Sequence, residues 1–350
     1  MIRSDVIIIG AGLAGLCAAR RLHRAGVDAV VVEARDRLGG RIVSVDPGFD
    51  LGPSWYWPGM QPAIGALVEE LGLSAFAQAS EGDVVFERMS RESPRRYRGF
   101  AQEPQSMRLV GGSAALVGAL AKDLDRIVLG ARVTAMTLVD DGVELAFADG
   151  PARHAAHVIA AVPPRLLEAS VTFQPAVPTA ARWRATPTWM APHAKFVVTY
   201  AQPFWRDAGL SGTAQSLVGP LAEIHDATTI SGGAALFGFL GVDAAQRAAL
   251  GEAAITRACL DQLARLFGAA ARAPLATYLK DWAADPLTAT AADRVATGHP
   301  LPDDAPWVTG AWRARLALAG SETSPAEPGY LAGAVIAAQR AADETLAKLR

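Results

Sequence analysis

Three glycines and one glutamate carry the first chemical signal. In "DVIIIGAGLAGLCAARRLHRAGVDAVVVEARDRLGGR" the triplet Gly10, Gly12 and Gly15 follows the apolar run Val6 to Ile9 with G-x-G-x-x-G spacing. Gly10 permits a tight turn, Gly12 lets a pyrophosphate approach the backbone, and Gly15 lets helix and strand pack closely. The pattern predicts a helix from about Ala14 to Arg24, a turn at Ala25 and Gly26, and a second strand, Ala29 to Val32, ending on Glu33. The helix start offers free N–H groups and a positive dipole end to phosphates. Glu33, 23 residues after Gly10, is placed to accept from the ribose hydroxyls, and an acid there argues against a 2′-phosphate. The whole is a dinucleotide-binding βαβ unit.

A second signal is a lysine where a lysine is expensive. In "MAPHAKFVVTYAQPFW" the residues from Lys195 to Tyr200 read as a buried or half-buried strand. An ammonium there is costly unless something needs it, and the plain alternative is a side chain snorkelling from a strand edge. His193 lies two residues earlier, on the same side of a strand, and reads either as a proton-handling group or as a satisfied or surface histidine.

The elements that must position these groups fit an ordinary globular chain. Its 350 residues are 51% hydrophobic and 19% charged with a net charge of −2, enough for two domains, and no basic stripe calls for nucleic acid or a membrane surface. Cys17 and Cys259 match no metal-ligand spacing and no disulfide framework. No apolar run reaches the roughly 20 residues that span a bilayer. The first strand begins almost at Met1, leaving no room for a leader. The expectation is a cytoplasmic protein with no metal, whose oligomeric state is unread.

"EARDRLGGR" adds Arg35, Gly40 and Arg41 directly after the ribose-binding acid, and here the chain resembles the flavin amine oxidase family, which includes the monoamine and polyamine oxidases. The likeness continues in order through "DLGPSWYW", "RLVGGSAALVGALAKDL", the β-meander "ARVTAMTLVDDGVELAFADG" with turns expected at Asp141-Gly142 and Asp149-Gly150, "HVIAAVPPRLL", "YLKDWAADPLTATAAD" and "ALAGSETSPAEPGYLAGAVIAAQRAADETL". The resemblance implies FAD bound by Arg35, Gly40 and Arg41, by Gly52 and Ser54 near the isoalloxazine ring, by Val133 at the adenine, by Trp282 beside the flavin, by Glu322 near the ribityl chain, and by the helix starting near Leu331. It makes Lys195 the lysine that hydrogen-bonds through a water to flavin N5. It makes Tyr330 one of the two rings that flank a substrate amine.

The implied fold is α/β: a Rossmann-like FAD-binding domain of the GR2 type, interleaved with a smaller α+β substrate domain. Residues 1–59, 105–174 and 284–350 form the first, residues 60–104 and 175–283 the second, with "TFQPAVPTAARWRATPTW" as a crossover. The implied reaction oxidises an amine to an imine with dioxygen as acceptor. Departures qualify this. The family's covalent cysteine falls near Ala291, so FAD is expected non-covalent; its second cage ring falls near Ala292, so Trp55, Tyr56, Trp57 or another ring must substitute, and Pro53 leaves the backbone route at the ring open. The segment from Gly59 to Ser106 is short, which implies a more open or differently lidded pocket. A flavin desaturase or dehydrogenase of a non-amine substrate, and a flavin-binding protein with decayed catalysis, stay open. A substrate carboxylate could meet an arginine among Arg88 to Arg98, although that cluster also reads as a solvated loop.

Overall fold

The computed structural model describes residues 2–99 and 103–350. Two sheets organise them. The larger has eight strands, in spatial order Thr172–Gln174, Val133–Val139, Gly142–Phe147, Arg153–Ala160, Ile2–Ile9, Ala29–Val32 and Ile127–Val128, with Leu316–Leu318 also beside Arg153–Ala160. Ile2–Ile9 runs parallel to both neighbours, as the βαβ reading requires, and its buried half is Val6 to Ile9. The strand starts earlier than the sequence pattern suggests. Ile2, Arg3 and Ser4 pair through the backbone with Arg153, His154 and Ala155, and an exposed strand end needs no apolar side chains.

Helix Leu13–Arg24 packs against this sheet and against the terminal helix Leu331–Leu349. Fully buried Ala18 on the first and Ala338, Ala341 and Ala342 on the second let the two backbones approach. On the opposite face Phe173, Trp183 and Trp312 meet edge to face, with ring centroids 5.4 and 5.3 Å from Phe173. Trp183 belongs to helix Ala180–Ala185, so the first part of the expected crossover still packs on the larger sheet. The first hairpin turns at Asp140 and Asp141 rather than at Asp141-Gly142, because Gly142 already pairs with Val139 and its bare Cα lets Ala155 O approach.

The second sheet has seven strands, in order Ala276–Asp281, Ala194–Tyr200, Ala234–Leu240, Leu221–Asp226, Leu210–Ser216, Asp83–Glu87 and Arg95–Tyr97. All pairs are antiparallel except that of Leu210–Ser216 with Asp83–Glu87. Every residue of Ala194–Tyr200 is buried, and the two faces differ. Phe196, Val198 and Tyr200 pack toward helix Glu252–Phe267, while Val197 joins Phe49, Leu51 and Phe237 between the sheets, which places Lys195 on that inner face too. Arg95 and Arg96 pair with Glu92 and Asp83 on the exposed outer strand, so the Arg88 to Arg98 cluster is a solvated face. Among the described residues no helix is long and apolar enough to cross a membrane, and no cluster of His, Cys, Asp and Glu could hold a metal.

Candidate functional site

A continuous cleft of about 400 Å³ runs from the first βαβ unit to the inner face of the second sheet. At one end Gly10 adopts a positive φ of 100°, which favours glycine, and a Cβ on Gly15 would stand 1.8 Å from Gly10 O. Gly12 precedes helix Leu13–Arg24 with no side-chain cap, so the helix start opens onto the cleft with its donors available to an anion. Glu33, 4% exposed at the end of its strand, accepts from Ala11 N at 2.7 Å and Arg35 N at 2.9 Å, which fixes the carboxylate beside the glycine turn. Val133 lines the cleft next to it, together with Ala131.

The loop after Glu33 is held from the far end of the chain. Arg35 donates to Asp285 at 2.8 Å and Thr288 Oγ1 at 3.0 Å. Arg41 donates to Glu322 Oε1 at 2.8 Å, Ser321 Oγ at 2.9 Å and Trp189 O at 2.9 Å. Glu322, expected near the ribityl chain, is fully buried as a side chain and is not among the lining residues; it stands behind Arg41 and holds its guanidinium. Gly15 is likewise off the wall, as its packing task demands. The remaining expected residues, Gly10, Gly12, Glu33, Arg35, Gly40, Arg41, Gly52, Ser54, Trp55, Val133, Lys195, Trp282, Tyr330 and Leu331, all line this one cleft.

Lys195 has partners that explain its burial. Its Nζ donates to Ser54 Oγ at 2.6 Å and Gly52 O at 3.1 Å and lies 4.1 Å from the centroid of the Phe237 ring. Burial pushes the ammonium down to about 7, with the Asp50 carboxylate opposing that fall and the Arg108 guanidinium adding to it. Asp50 fixes the backbone that carries both partners: its Oδ1 accepts from Ser44 Oγ at 2.6 Å, Ser113 Oγ at 2.7 Å and Ser113 N at 2.8 Å. His193 lines the cleft from the turn before the strand, and burial, then Arg247, lower its pKa.

Around Lys195 the wall turns aromatic. Trp57 stands at 86° to Tyr330 with centroids 6.5 Å apart, and Trp55 lies 6.4 Å from Trp57 with its Nε1 donating to Gln78. His299 stacks on Tyr330 at 4.7 Å and 29°. Trp282 donates to Leu51 O at 3.2 Å. Helix Leu331–Leu349 begins here, again with no side-chain cap. Neither Ala291 nor Ala292 reaches the wall, and neither do the two buried cysteines.

The cleft therefore fits FAD: an acid and a glycine turn at one end, uncapped helix starts along its length, and an aromatic chamber at the other. Sequence reasoning missed Asp50, Arg108 and Trp189. Asp50 alone carried a readable sign, a carboxylate inside the otherwise apolar "FDLG". Met190, on the wall between Trp189 and His193, holds a positive φ of 62° that no sequence pattern announced.

Comparison with known proteins agrees with this geometry. The family model for flavin containing amine oxidoreductase matches residues 13–102 and 92–346. A putrescine oxidase from Kocuria rosea is 48% identical over 88 residues, covering 24% of this chain and 18% of that protein. A putative flavin-containing monoamine oxidase, AofH, from Mycobacterium tuberculosis is 37% identical over 134 residues, covering 37% of this chain and 28% of that protein. The matched stretches thus span less than a third of these curated relatives. The structure of cyclohexylamine oxidase from Brevibacterium oxydans superposes with a TM-score of 0.82 at 22% identity, covering 99% of both chains, a likeness of fold. With a family match over nearly its whole length, the chain belongs to the flavin-containing amine oxidoreductases.

Proposed function

We propose that this chain is an FAD-dependent oxidase of amines. One observation carries the reading: a single cleft joins the dinucleotide-binding glycines to an aromatic chamber whose wall holds a buried lysine on Ser54 Oγ and Gly52 O. FAD held by Gly10, Gly12, Glu33, Arg41 and Gly52 would supply the redox chemistry, as acceptor of a hydride equivalent from the amine-bearing carbon and donor of electrons to dioxygen.

The chain's own residues bind, orient and exclude water. Tyr330 and Trp57 position the amine, and Trp55, Phe239 and Trp282 dry the chamber. Burial biases Lys195 and His193 toward their neutral forms, so the wall opposes an incoming amine with little fixed positive charge. When protonated, Lys195 Nζ offers a preorganised donor to charge developing on dioxygen. The cofactor is held without a covalent bond, since neither cysteine lines the cleft. In this reading the larger sheet is the FAD domain, the smaller sheet carries the substrate wall, and the protein works in the cytoplasm.

The test is anaerobic mixing of the holoprotein with a panel of amines while the flavin absorbance is followed, then admission of air. Bleaching by an amine, with reoxidation slowed in Lys195→Met, is the expected result. A yellow protein that no amine bleaches would refute the proposal.

A further inference from the structure

The chamber also limits which amine can enter, an inference that rests on the amine-oxidase reading. Among the described residues, the ionisable groups on its aromatic wall are His193, Lys195 and the Tyr330 phenol, and no carboxylate stands there. The carboxylate on the cleft wall is Glu33, at the opposite end beside the glycine turn, where it accepts from Ala11 N and Arg35 N. Arg35 and Arg41, which could receive a substrate carboxylate, are engaged by Asp285 and Glu322. Arg132 is exposed beside Val133 at the nucleotide end.

The register of the second sheet places one further carboxylate near the site. Glu223 pairs with Phe239, and Phe239 pairs with Lys195, so the three share a cross-strand row. Glu223 is two strands from Lys195, about 10 Å away at the usual strand spacing. It is not on the cleft wall; its Oε1 is held by His225 Nε2 at 2.5 Å, and the Trp55 ring packs edge-on against His225 at 4.8 Å. A second ammonium set against this wall would therefore meet no carboxylate, and a carboxylate would meet only Lys195 and His193, which burial biases toward their neutral forms.

The apolar surfaces point to what fits instead. His299 occupies one side of Tyr330, and Trp57 stands perpendicular to that ring. The substrate meets a corner of two rings rather than a slot between parallel ones. We propose that this chamber selects monoamines with a compact apolar body, such as cycloalkyl or aryl amines, that it rejects diamines and amino acids, and that Trp57 is the residue that sets this preference.

Cyclohexylamine, benzylamine, putrescine and phenylalanine are titrated into the holoprotein, with binding read from perturbation of the flavin's visible spectrum and reduction read anaerobically. Cyclohexylamine or benzylamine is expected to bind at least about 100-fold more tightly than putrescine or phenylalanine. Trp57→Ala is expected to weaken monoamine binding about 10-fold or more with flavin content unchanged, and Trp57→Phe to restore most of it. Monoamine binding without bleaching would sink amine oxidation and leave the selectivity standing. Putrescine or phenylalanine binding as tightly as either monoamine, no spectral response to either monoamine, or an unchanged dissociation constant in Trp57→Ala each overturns the inference. If putrescine is preferred and Glu223→Gln abolishes that preference, Glu223 is the counter-charge for a diamine.

Discussion

Replacing Lys195 with methionine should make the protein more stable at neutral pH, and the gain should vanish as the pH rises. The folded-state pKa lies below the unfolded one, falling from 10.5 to about 7. Below pH 7 the amine is charged in both states and the fold bears the full burial penalty. Between 7 and 10.5 the folded state releases its proton first, so the unfolded state binds more protons and stability rises with pH. The penalty is about 5 kcal/mol at its largest, since each pKa unit is worth about 1.4 kcal/mol. Methionine has nearly the same shape and no charge; losing the bonds to Ser54 Oγ and Gly52 O offsets about 1–3 kcal/mol of the gain. The expected net stabilisation is about 2–4 kcal/mol at pH 6, declining through pH 7 to 10. Urea unfolding of parent and variant in saturating FAD, followed by tryptophan fluorescence across that pH range, measures the difference and cancels every other titrating group. A difference that does not change with pH, or a variant less stable at pH 6, refutes the account of Lys195 as a buried amine held partly neutral.

Asp50→Asn removes the charge that opposes the fall in the Lys195 pKa, so the gain from Lys195→Met at pH 7 should be larger in that background than in the parent, as a double-mutant cycle would read. Glu322→Gln leaves the Arg41 guanidinium without its buried carboxylate and should lower the unfolding free energy by about 3 kcal/mol in urea; a loss under about 1 kcal/mol would mean that the ion pair is not structural. Gly15→Ala puts a methyl group 1.8 Å from Gly10 O and should abolish flavin retention, measured by the ratio of flavin to protein absorbance. Gly26→Ala, where nothing lies within 4 Å but φ is 75°, should retain flavin and lose only about 1 kcal/mol of stability.

Local patterns made the cofactor end legible. The βαβ unit, from Gly10 to Glu33, depends on residues close in sequence whose types each do one job, and it folds as read. The aromatic chamber depends on residues that meet only through the sheet-to-sheet arrangement. Trp57 and Tyr330 are 273 positions apart, and no local pattern says which ring faces which. The lysine stood out because its strand is apolar on both faces, whereas Asp50, which tunes it, sat in a two-residue strand too short to show a period. Glu322 was read by resemblance as touching the cofactor. Its bond to Arg41 shows only where the two backbones meet. The hairpin shift by one residue has the same origin: Gly142 reads as a turn former, yet here its missing side chain admits a neighbouring strand.

The tie between Arg41 and Glu322 spans 281 positions, and Arg35 reaches 250 positions to Asp285. The first strand lies inside its sheet, paired to segments near residues 30 and 155, while its helix needs the terminal helix as a packing partner. The cleft is thus assembled from both ends of the chain at once. Leu331 and Ala334 of the helix Leu331–Leu349 line the cleft, so its wall is complete only when that helix has docked, and flavin retention should depend on both segments rather than on the first βαβ unit alone. Bound flavin then becomes a marker that these distant segments have found each other.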